Sequence, residues 1–144
     1  MPAFPQFTRK ERAFIRAARV AHLATADAGG QPHVIPICFV FDGDTFFSSI
    51  DEKPKKTSAQ NLKRVRNVKQ NERISLIIDR YEENWSKLAY VLISGTAKII
   101  LRGKRHQRAV ALLRKKYSQY RRMALDERPM IQIKPSALTR WGAV

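Results

Sequence analysis

The sequence predicts a mainly β α+β domain, in which antiparallel strands form a small barrel with flanking helices. Stretches rich in β-branched and aromatic residues follow one another in hairpin order, separated by short turn sequences, and helical patterns are inserted between these groups. This order favours a barrel over a doubly wound parallel sheet. The 144 residues contain no visible repeat or linker, so a single domain over residues 1–144 is expected.

The first elements follow from capping and turn signals. Thr8 and Glu11 have the spacing of a capping box, which predicts a helix over about residues 8–19. Residues 20–26 and 32–41 are strand-like on either side of a turn sequence, and so predict a hairpin. The Asp42-Gly43 pair predicts a tight type I′ turn into a strand over 45–50, with positive φ at both positions.

The segment after this strand predicts an anion site. Thr57 and Gln60 fit a second capping box, so a helix is expected to begin at Thr57. Its free backbone N–H groups would lie beside Lys53, Lys55 and Lys56, a combination that suits a phosphate. From residue types alone, the alternative is a lysine-rich surface loop, because most charge runs are solvated.

The second half of the chain predicts further strands and a helix. The predicted ranges are a strand over 73–81, a strand over 88–101, a helix over 104–117 and a final strand over 130–133. Gly95, inside the longest strand, marks a bulge or a close backbone approach. Pro135 is expected to end the last strand.

The charge indicates an anionic partner. The chain has 28 Lys+Arg against 12 Asp+Glu, a net charge of +16, which suits a nucleic acid, a phosphorylated cofactor or an acidic membrane surface. A hydrophobic content of 44% argues against a disordered basic tail. No apolar run approaches the ~18 residues of a membrane span. The N-terminal residues lack the pattern of a secretion signal, and the lone Cys38 cannot form an internal disulfide, so a cytoplasmic protein is expected.

Histidine and cysteine spacing predicts no metal site, since His22, His33, His106 and Cys38 have no ligand spacing to one another. Cys38 lies in an apolar run and is interpreted as a core residue rather than a nucleophile. His33 is a candidate proton donor if it faces a groove, and otherwise a partly buried surface histidine.

Several short motifs occur in a fixed order over about residues 10–140. They are LATA at 23–26, GQPHVIP at 30–36, FDG at 41–43, SI at 49–50, KT at 56–57, LIID at 76–79 and GTA at 95–97. In order and spacing the chain resembles the pyridoxamine phosphate oxidase-like split-barrel superfamily. DEKPK at 51–55 and DRY at 79–81, followed by Trp85, are similar to a branch of oxidoreductases that use the deazaflavin coenzyme F-420.

The resemblance implies a six-stranded Greek-key split barrel that forms a homodimer, with FMN or coenzyme F-420 in grooves at the subunit interface. The residues it assigns to the cofactor phosphate are Lys53, Lys55, Lys56 and Thr57. Those it places against the ring system or as a wall of the site are Pro36, Ile37, Ser49, Ile50 and Trp85. From the residues alone, a structural explanation is as good as a role at the cofactor: Pro36 would be an edge-strand proline and Ile37 a core residue. Trp141 is interpreted as packed on the core, with a partner subunit as the alternative.

The implied activity is hydride transfer between the bound cofactor and an unknown small organic substrate, and no side chain is assigned a catalytic role. The founding enzymes continue into an arginine-bearing tail, whereas this sequence stops at Val144, so pyridoxamine phosphate oxidation is not expected. One alternative is a cofactor-binding protein without turnover. Another is a nucleic-acid-binding protein, whose phosphate-tracking surface would be Arg64, Arg66, Lys69, Arg114, Lys115, Lys116, Arg121 and Arg122.

Overall fold

The computed structural model describes residues 5–50 and 62–144, in which seven antiparallel strands form one curled sheet beside three α-helices. The strands are β1 Ala21–Ala26, β2 Pro32–Ile37, β3 Val40–Phe41, β4 Phe46–Ser49, β5 Arg73–Arg80, β6 Ala89–Ile100 and β7 Met130–Gly142. The helices are α1 Arg9–Ala17, α2 Lys63–Gln70 and α3 Lys104–Lys116, with short 3-10 turns at Trp85–Lys87 and Ser118–Arg122.

The connection between β2 and β3 joins the two edges of the sheet. The strand order is β2-β1-β5-β6-β7-β4-β3, so β2 and β3 lie at opposite edges although only Cys38 and Phe39 separate them in the chain. Three residue steps span at most about 11 Å, so the two edges have to come together. The Ser48 hydroxyl donates to the Cys38 carbonyl oxygen at 2.8 Å and ties β4 to this connection.

The predicted mainly β split barrel is confirmed, with seven strands instead of six in the described residues. The difference arises because the strand-like stretch 32–41 divides at Cys38 and Phe39 and contributes one strand to each edge. The barrel interior is filled by fully buried side chains, among them Leu23, Phe39, Phe46, Leu76, Ile78, Ile93 and Ile131. A second cluster packs α3 on the outside through Ala109, Val110 and Leu113.

The first helix and hairpin agree with their predicted positions. Thr8 caps α1 with both hydrogen bonds of the capping box: its N–H donates to Glu11 Oε1 at 2.8 Å, and its Oγ1 accepts from the Glu11 N–H at 3.1 Å. The β1–β2 hairpin pairs Ala21 with Ile37 and Ala26 with Pro32. These local signals were sufficient because each is satisfied by residues close in sequence.

The predicted type I′ turn at Asp42 is wrong. A hairpin does join β3 and β4, but only Gly43 in this loop has positive φ, at 118°. Asp42 organises the loop with its side chain, because Oδ1 accepts from the backbone N–H groups of Asp44 at 3.1 Å and Thr45 at 2.9 Å. A carboxylate that satisfies two N–H groups stabilises a longer loop and removes the need for positive φ at Asp42.

The last strand is longer than predicted and runs through Pro135. This proline lies opposite Gly95, where the β6–β7 register shifts, and β4 pairs with β7 only as far as Ile133. Proline is tolerated at bulges and unpaired edges because no ladder hydrogen bond is lost there. The expected close approach at Gly95 is confirmed, since a Cβ there would lie 2.3 Å from the Lys134 carbonyl oxygen.

The described part of the second helix covers Lys63–Gln70. The described helix α2 begins at Lys63, after Leu62 in an extended conformation without a side-chain cap. Thr57 and Gln60, the proposed capping box, lie outside the described residues.

Candidate functional site

The basic segment assigned to the cofactor phosphate joins β4 to α2. Lys53, Lys55, Lys56 and Thr57 all lie outside the described residues, so their role remains a prediction. The structure describes the two anchors of this segment, Ile50 at the end of β4 and Leu62 before α2.

The end of β4 carries a buried hydroxyl without a hydrogen-bond partner among the described residues. This hydroxyl is the Oγ of Ser49, which is 3% exposed. Leaving a buried polar atom unpaired costs about 1–3 kcal/mol, so such a group calls for a specific explanation. A cofactor that hydrogen-bonds this hydroxyl is one such explanation.

Ile50 anchors the strand end. Its side chain is fully buried, its N–H donates to the Pro129 carbonyl oxygen at 2.9 Å, and its carbonyl oxygen accepts from Arg128 Nε at 3.0 Å. His106 on α3 in turn contacts Arg128, since its Nε2 lies 2.7 Å from the Arg128 carbonyl oxygen. His106 and Arg128 therefore position the point at which the basic segment leaves the sheet.

Sequence reasoning did not find this role of His106 and Arg128, which are 22 positions apart. A signal was present at His106, which occupies a position on the buried face of the predicted third helix. Arg128 lies in a turn, and nothing in its neighbours indicates a partner on β4.

The end of β2 lies beside β4. Ser48 contacts the Cys38 carbonyl group, so Ile37 and Ser49 are each one residue from that hydrogen bond. Ile37 is 6% exposed and belongs to the core, whereas Pro36 is exposed on the edge strand opposite His22. The fold thus brings together Ile37, Ser49 and Ile50, which are separated by up to 13 positions in the sequence.

Three aromatic side chains are exposed at the end of the sheet where β5 ends, β6 begins and β7 ends, and we call Tyr81, Trp85 and Trp141 the aromatic edge. Their exposed fractions are 63%, 70% and 51%. Arg80 holds this end together, donating from Nε to the Lys87 carbonyl oxygen at 2.9 Å and from Nη2 to that of Ala143 at 2.7 Å. The prediction that Trp141 packs on the core is wrong, because β7 extends past the barrel and Trp141 stacks on Tyr90 at its surface.

The described residues contain no group of three or more His, Cys, Asp and Glu side chains arranged to hold a metal ion. Cys38 is partly buried, and His22 is exposed on β1. His33 is partly buried on β2, where its Nδ1 has no hydrogen-bond partner among the described residues. No helix in the described part of the chain is long and apolar enough to cross a membrane.

The basic surface of the nucleic-acid alternative is partly used inside the protein. Arg114 donates from Nη2 to the Met123 carbonyl oxygen at 3.0 Å and pairs with Asp126 at 3.2 Å. Arg121 donates from Nε to the Arg114 carbonyl oxygen at 3.0 Å and so caps the end of α3. Guanidinium groups held by carbonyl oxygens are less available to track a phosphate backbone, which weakens this alternative.

The curled sheet, and the chain path that joins its two edges, define a split-barrel protein. Residues 7–142 match the family model described as pyridoxamine 5'-phosphate oxidase, and the chain belongs to this family. The resemblance of the motifs to the pyridoxamine phosphate oxidase-like split-barrel superfamily is thus confirmed.

Individual relatives agree with this assignment. The 5a,11a-dehydrotetracycline/5a,11a-dehydrooxytetracycline reductase of Streptomyces rimosus subsp. rimosus is 29% identical over 137 residues, which are 94% of this chain and 83% of the relative. HutZ, the heme storage protein from Vibrio cholerae, has a TM-score of 0.71 at 17% identity, with 94% of each chain covered. An F-420 reductase has a TM-score of 0.65 at 17% identity, covering 92% of this chain and 98% of its own. The two structural matches show the same fold.

Proposed function

We propose that the protein is an oxidoreductase that transfers hydride between a bound FMN or coenzyme F-420 and a small organic substrate. The observation that carries this proposal is the match, over 94% of the chain, to a relative that is a reductase. The cofactor supplies the redox chemistry when bound, and the protein supplies binding and orientation.

The phosphate site is proposed to consist of Lys53, Lys55, Lys56 and Thr57. In the sequence these residues come shortly after the buried end of β4, where the Ser49 hydroxyl has no hydrogen-bond partner among the described residues. An ammonium cluster supplies the charge for a phosphate, and the net charge of +16 favours an anionic cofactor.

The second part of the proposal is a homodimer. Large exposed apolar side chains mark interaction surfaces, and the aromatic edge carries three of them at one end of the sheet. A second copy packed there would cover Trp141 and bring Trp85 close to a cofactor groove, as the resemblance implies for this tryptophan.

The test is a fluorescence titration of cofactor-free protein with FMN and with coenzyme F-420, at roughly 50 and 200 mM salt. We expect a Kd of about 1 μM or lower for one of them. The double variant Lys55→Ala/Lys56→Ala should weaken that binding by about 100-fold, since each charge-assisted contact contributes about 1.5–3 kcal/mol. Lys104→Ala/Arg108→Ala, on the exposed face of α3, removes the same charge and should change the Kd by less than about twofold.

Turnover is tested separately. The bound cofactor is reduced chemically, and its reoxidation by dehydrotetracyclines, the substrate class named for the relative, is followed by absorbance. Binding without reoxidation by these or other small acceptors would favour a cofactor-binding protein. Binding of neither cofactor, together with salt-sensitive binding of DNA or RNA, would contradict the oxidoreductase proposal.

A further inference from the structure

A cleft of about 530 Å³ lies between the start of the described chain, α1 and the β3–β4 loop. Its lining residues are Pro5, Gln6, Arg12, Arg16, Asp42, Gly43 and Asp44. Arg12 and Arg16 are four residues apart on α1 and so project from the same side of the helix. The volume is in the range of small-molecule sites.

The two arginines of this cleft have no ion pair with an acidic side chain among residues 5–50 and 62–144. Arg12 Nε is buried without a hydrogen-bond partner among the described residues. The Arg16 guanidinium lies 5.8 Å from the centre of the Phe41 ring and forms no ion pair or hydrogen bond in the described part of the chain. A buried guanidinium nitrogen without a partner is unfavourable, and an arginine pair matches the geometry of phosphate or carboxylate oxygens.

The two aspartates of the cleft are engaged by their own loop. Asp42 Oδ1 accepts from the N–H groups of Asp44 and Thr45, and Asp44 Oδ1 accepts from the Thr45 hydroxyl at 2.7 Å. These contacts hold both carboxylates at the cleft wall, where neither forms an ion pair with Arg12 or Arg16. Each carboxylate keeps a second oxygen that can accept from a hydroxyl or amino group of a ligand.

Positive charge continues on the other side of Arg16. A second cavity of about 220 Å³ is lined by Arg16, Val40, Phe41, Leu112, Lys115 and Lys116. Arg16 therefore lines both cavities, and the second cavity places Lys115 and Lys116 on the far side of this arginine.

We propose that this cleft is a second anion-binding site that takes a small phosphorylated molecule with hydroxyl groups, such as a sugar phosphate. Arg12 and Arg16 hold the phosphate, and Asp42 and Asp44 accept from the hydroxyl groups. The cleft lies at the opposite end of the β3–β4 hairpin from Ser49, which is about 16 Å from Asp44 along the extended chain. The site is therefore separate from the described end of the proposed cofactor site, and it does not rest on the oxidoreductase proposal.

The test is isothermal titration calorimetry with ribose 5-phosphate, inorganic phosphate and ribose, at roughly 150 mM salt. We expect saturable binding of ribose 5-phosphate, at least about fivefold weaker binding of inorganic phosphate, and no binding of ribose. Arg12→Gln and Arg16→Gln should each weaken ribose 5-phosphate binding by about tenfold or more. Arg9→Gln is the matched control, because it removes the same charge from an exposed position on α1 and should change the affinity by less than about twofold.

Asp44→Ala should reduce the preference for ribose 5-phosphate over inorganic phosphate. Equal affinity of the unaltered protein for these two probes would overturn the sugar-phosphate assignment. Lack of saturable binding below roughly 10 mM, or equal losses in Arg9→Gln and Arg16→Gln, would overturn the site itself.

Thermal denaturation verifies that each variant is folded, and Arg16→Lys replaces Arg16→Gln if the latter does not fold. Loss of ribose 5-phosphate binding in Lys55→Ala/Lys56→Ala, with Arg16→Gln unchanged, would move the binding to the cofactor segment and contradict the proposal. Arg16→Gln should leave the FMN and coenzyme F-420 titrations unchanged, so the two proposals can fail independently.

Discussion

Lys116, at the end of α3, is a positive charge held against an aromatic ring and a carbonyl group. Its Nζ donates to the Phe39 carbonyl oxygen at 3.0 Å and lies 3.8 Å from the centre of the Phe39 ring. Burial, helped by repulsion from Arg19 and opposed by Cys38, lowers the pKa of Lys116 from 10.5 to about 8. Protonation of this amine therefore opposes folding at neutral pH.

The lowered pKa of Lys116 predicts a pH dependence of stability. Between about pH 8 and 10.5 the unfolded chain binds more protons at this lysine than the folded chain does, so its contribution to the free energy of unfolding rises with pH. Lys116→Met should remove a rise of about 1 kcal/mol between roughly pH 7.5 and 9.5, after allowance for the exposed part of the side chain. Urea denaturation at both pH values measures the difference.

Lys115→Met is the control for this measurement, since Lys115 is exposed on the same turn and should leave the slope unchanged. Tyr117 has the opposite effect on the pH dependence of stability, and its effect begins at higher pH. Its pKa is raised to about 12, mainly by burial, so it lowers stability only once the unfolded tyrosine ionises near pH 10. A Lys116→Met variant with the same slope as the unaltered protein would show that this lysine titrates normally in the fold.

At the scale of elements, the β6–β7 ladder joins the barrel to the aromatic edge, and at Gly95 the two strand backbones approach closely. A Cβ at Gly95 would lie 2.3 Å from the Lys134 carbonyl oxygen and 3.1 Å from Pro135 Cα, and both are backbone atoms that cannot move without shifting the strand. Gly95→Ala should lower the free energy of unfolding by about 2 kcal/mol or more. Equilibrium urea denaturation gives the value.

Gly29→Ala is the matched control for Gly95→Ala. A Cβ there meets only Asp27 Oδ1 at 3.5 Å, an ordinary contact, and Gly29 does not have positive φ. The change should stay within about 0.5 kcal/mol. Equal effects of the two substitutions would mean that β7 can move away from Gly95 at little cost.

At the scale of the whole molecule, the aromatic edge is the proposed contact with a second copy of the chain. Trp141→Ser should raise the dimer dissociation constant by more than about tenfold, because large aromatic side chains dominate interface energies. Sedimentation equilibrium over a range of protein concentrations measures this constant. Leu101→Ser is the control, since Leu101 is 54% exposed just beyond the opposite end of β6. A dimer weakened by Leu101→Ser but unaffected by Trp141→Ser would place the interface at the other end of the ladder.

Local signals in the sequence determined the order of the helices and strands, the α1 capping box and the close approach at Gly95. These features depend on residues close in the chain or on the steric demand of one residue. The motif order also identified the family, because it preserves the spacing of the barrel strands. The basic residues from Lys53 to Thr57 rest on the sequence alone, and their role is a proposal.

Only the tertiary structure decided the features that depend on distant pairing. Pro135 is accommodated inside β7 because it lies opposite Gly95, where the β6–β7 register shifts. The residues next to Pro135 in the sequence do not predict this pairing. Residues 32–41 form β2 at one edge of the sheet and β3 at the other, because the chain crosses between the two edges at Cys38 and Phe39. Arg12 and Arg16 face a loop that is 26 positions further along the chain from Arg16, and the cleft between them exists only because β3 packs under α1. Sequence patterns indicate which residues favour burial or a turn conformation. Which charged groups lack a partner depends on how the elements pack in the folded protein.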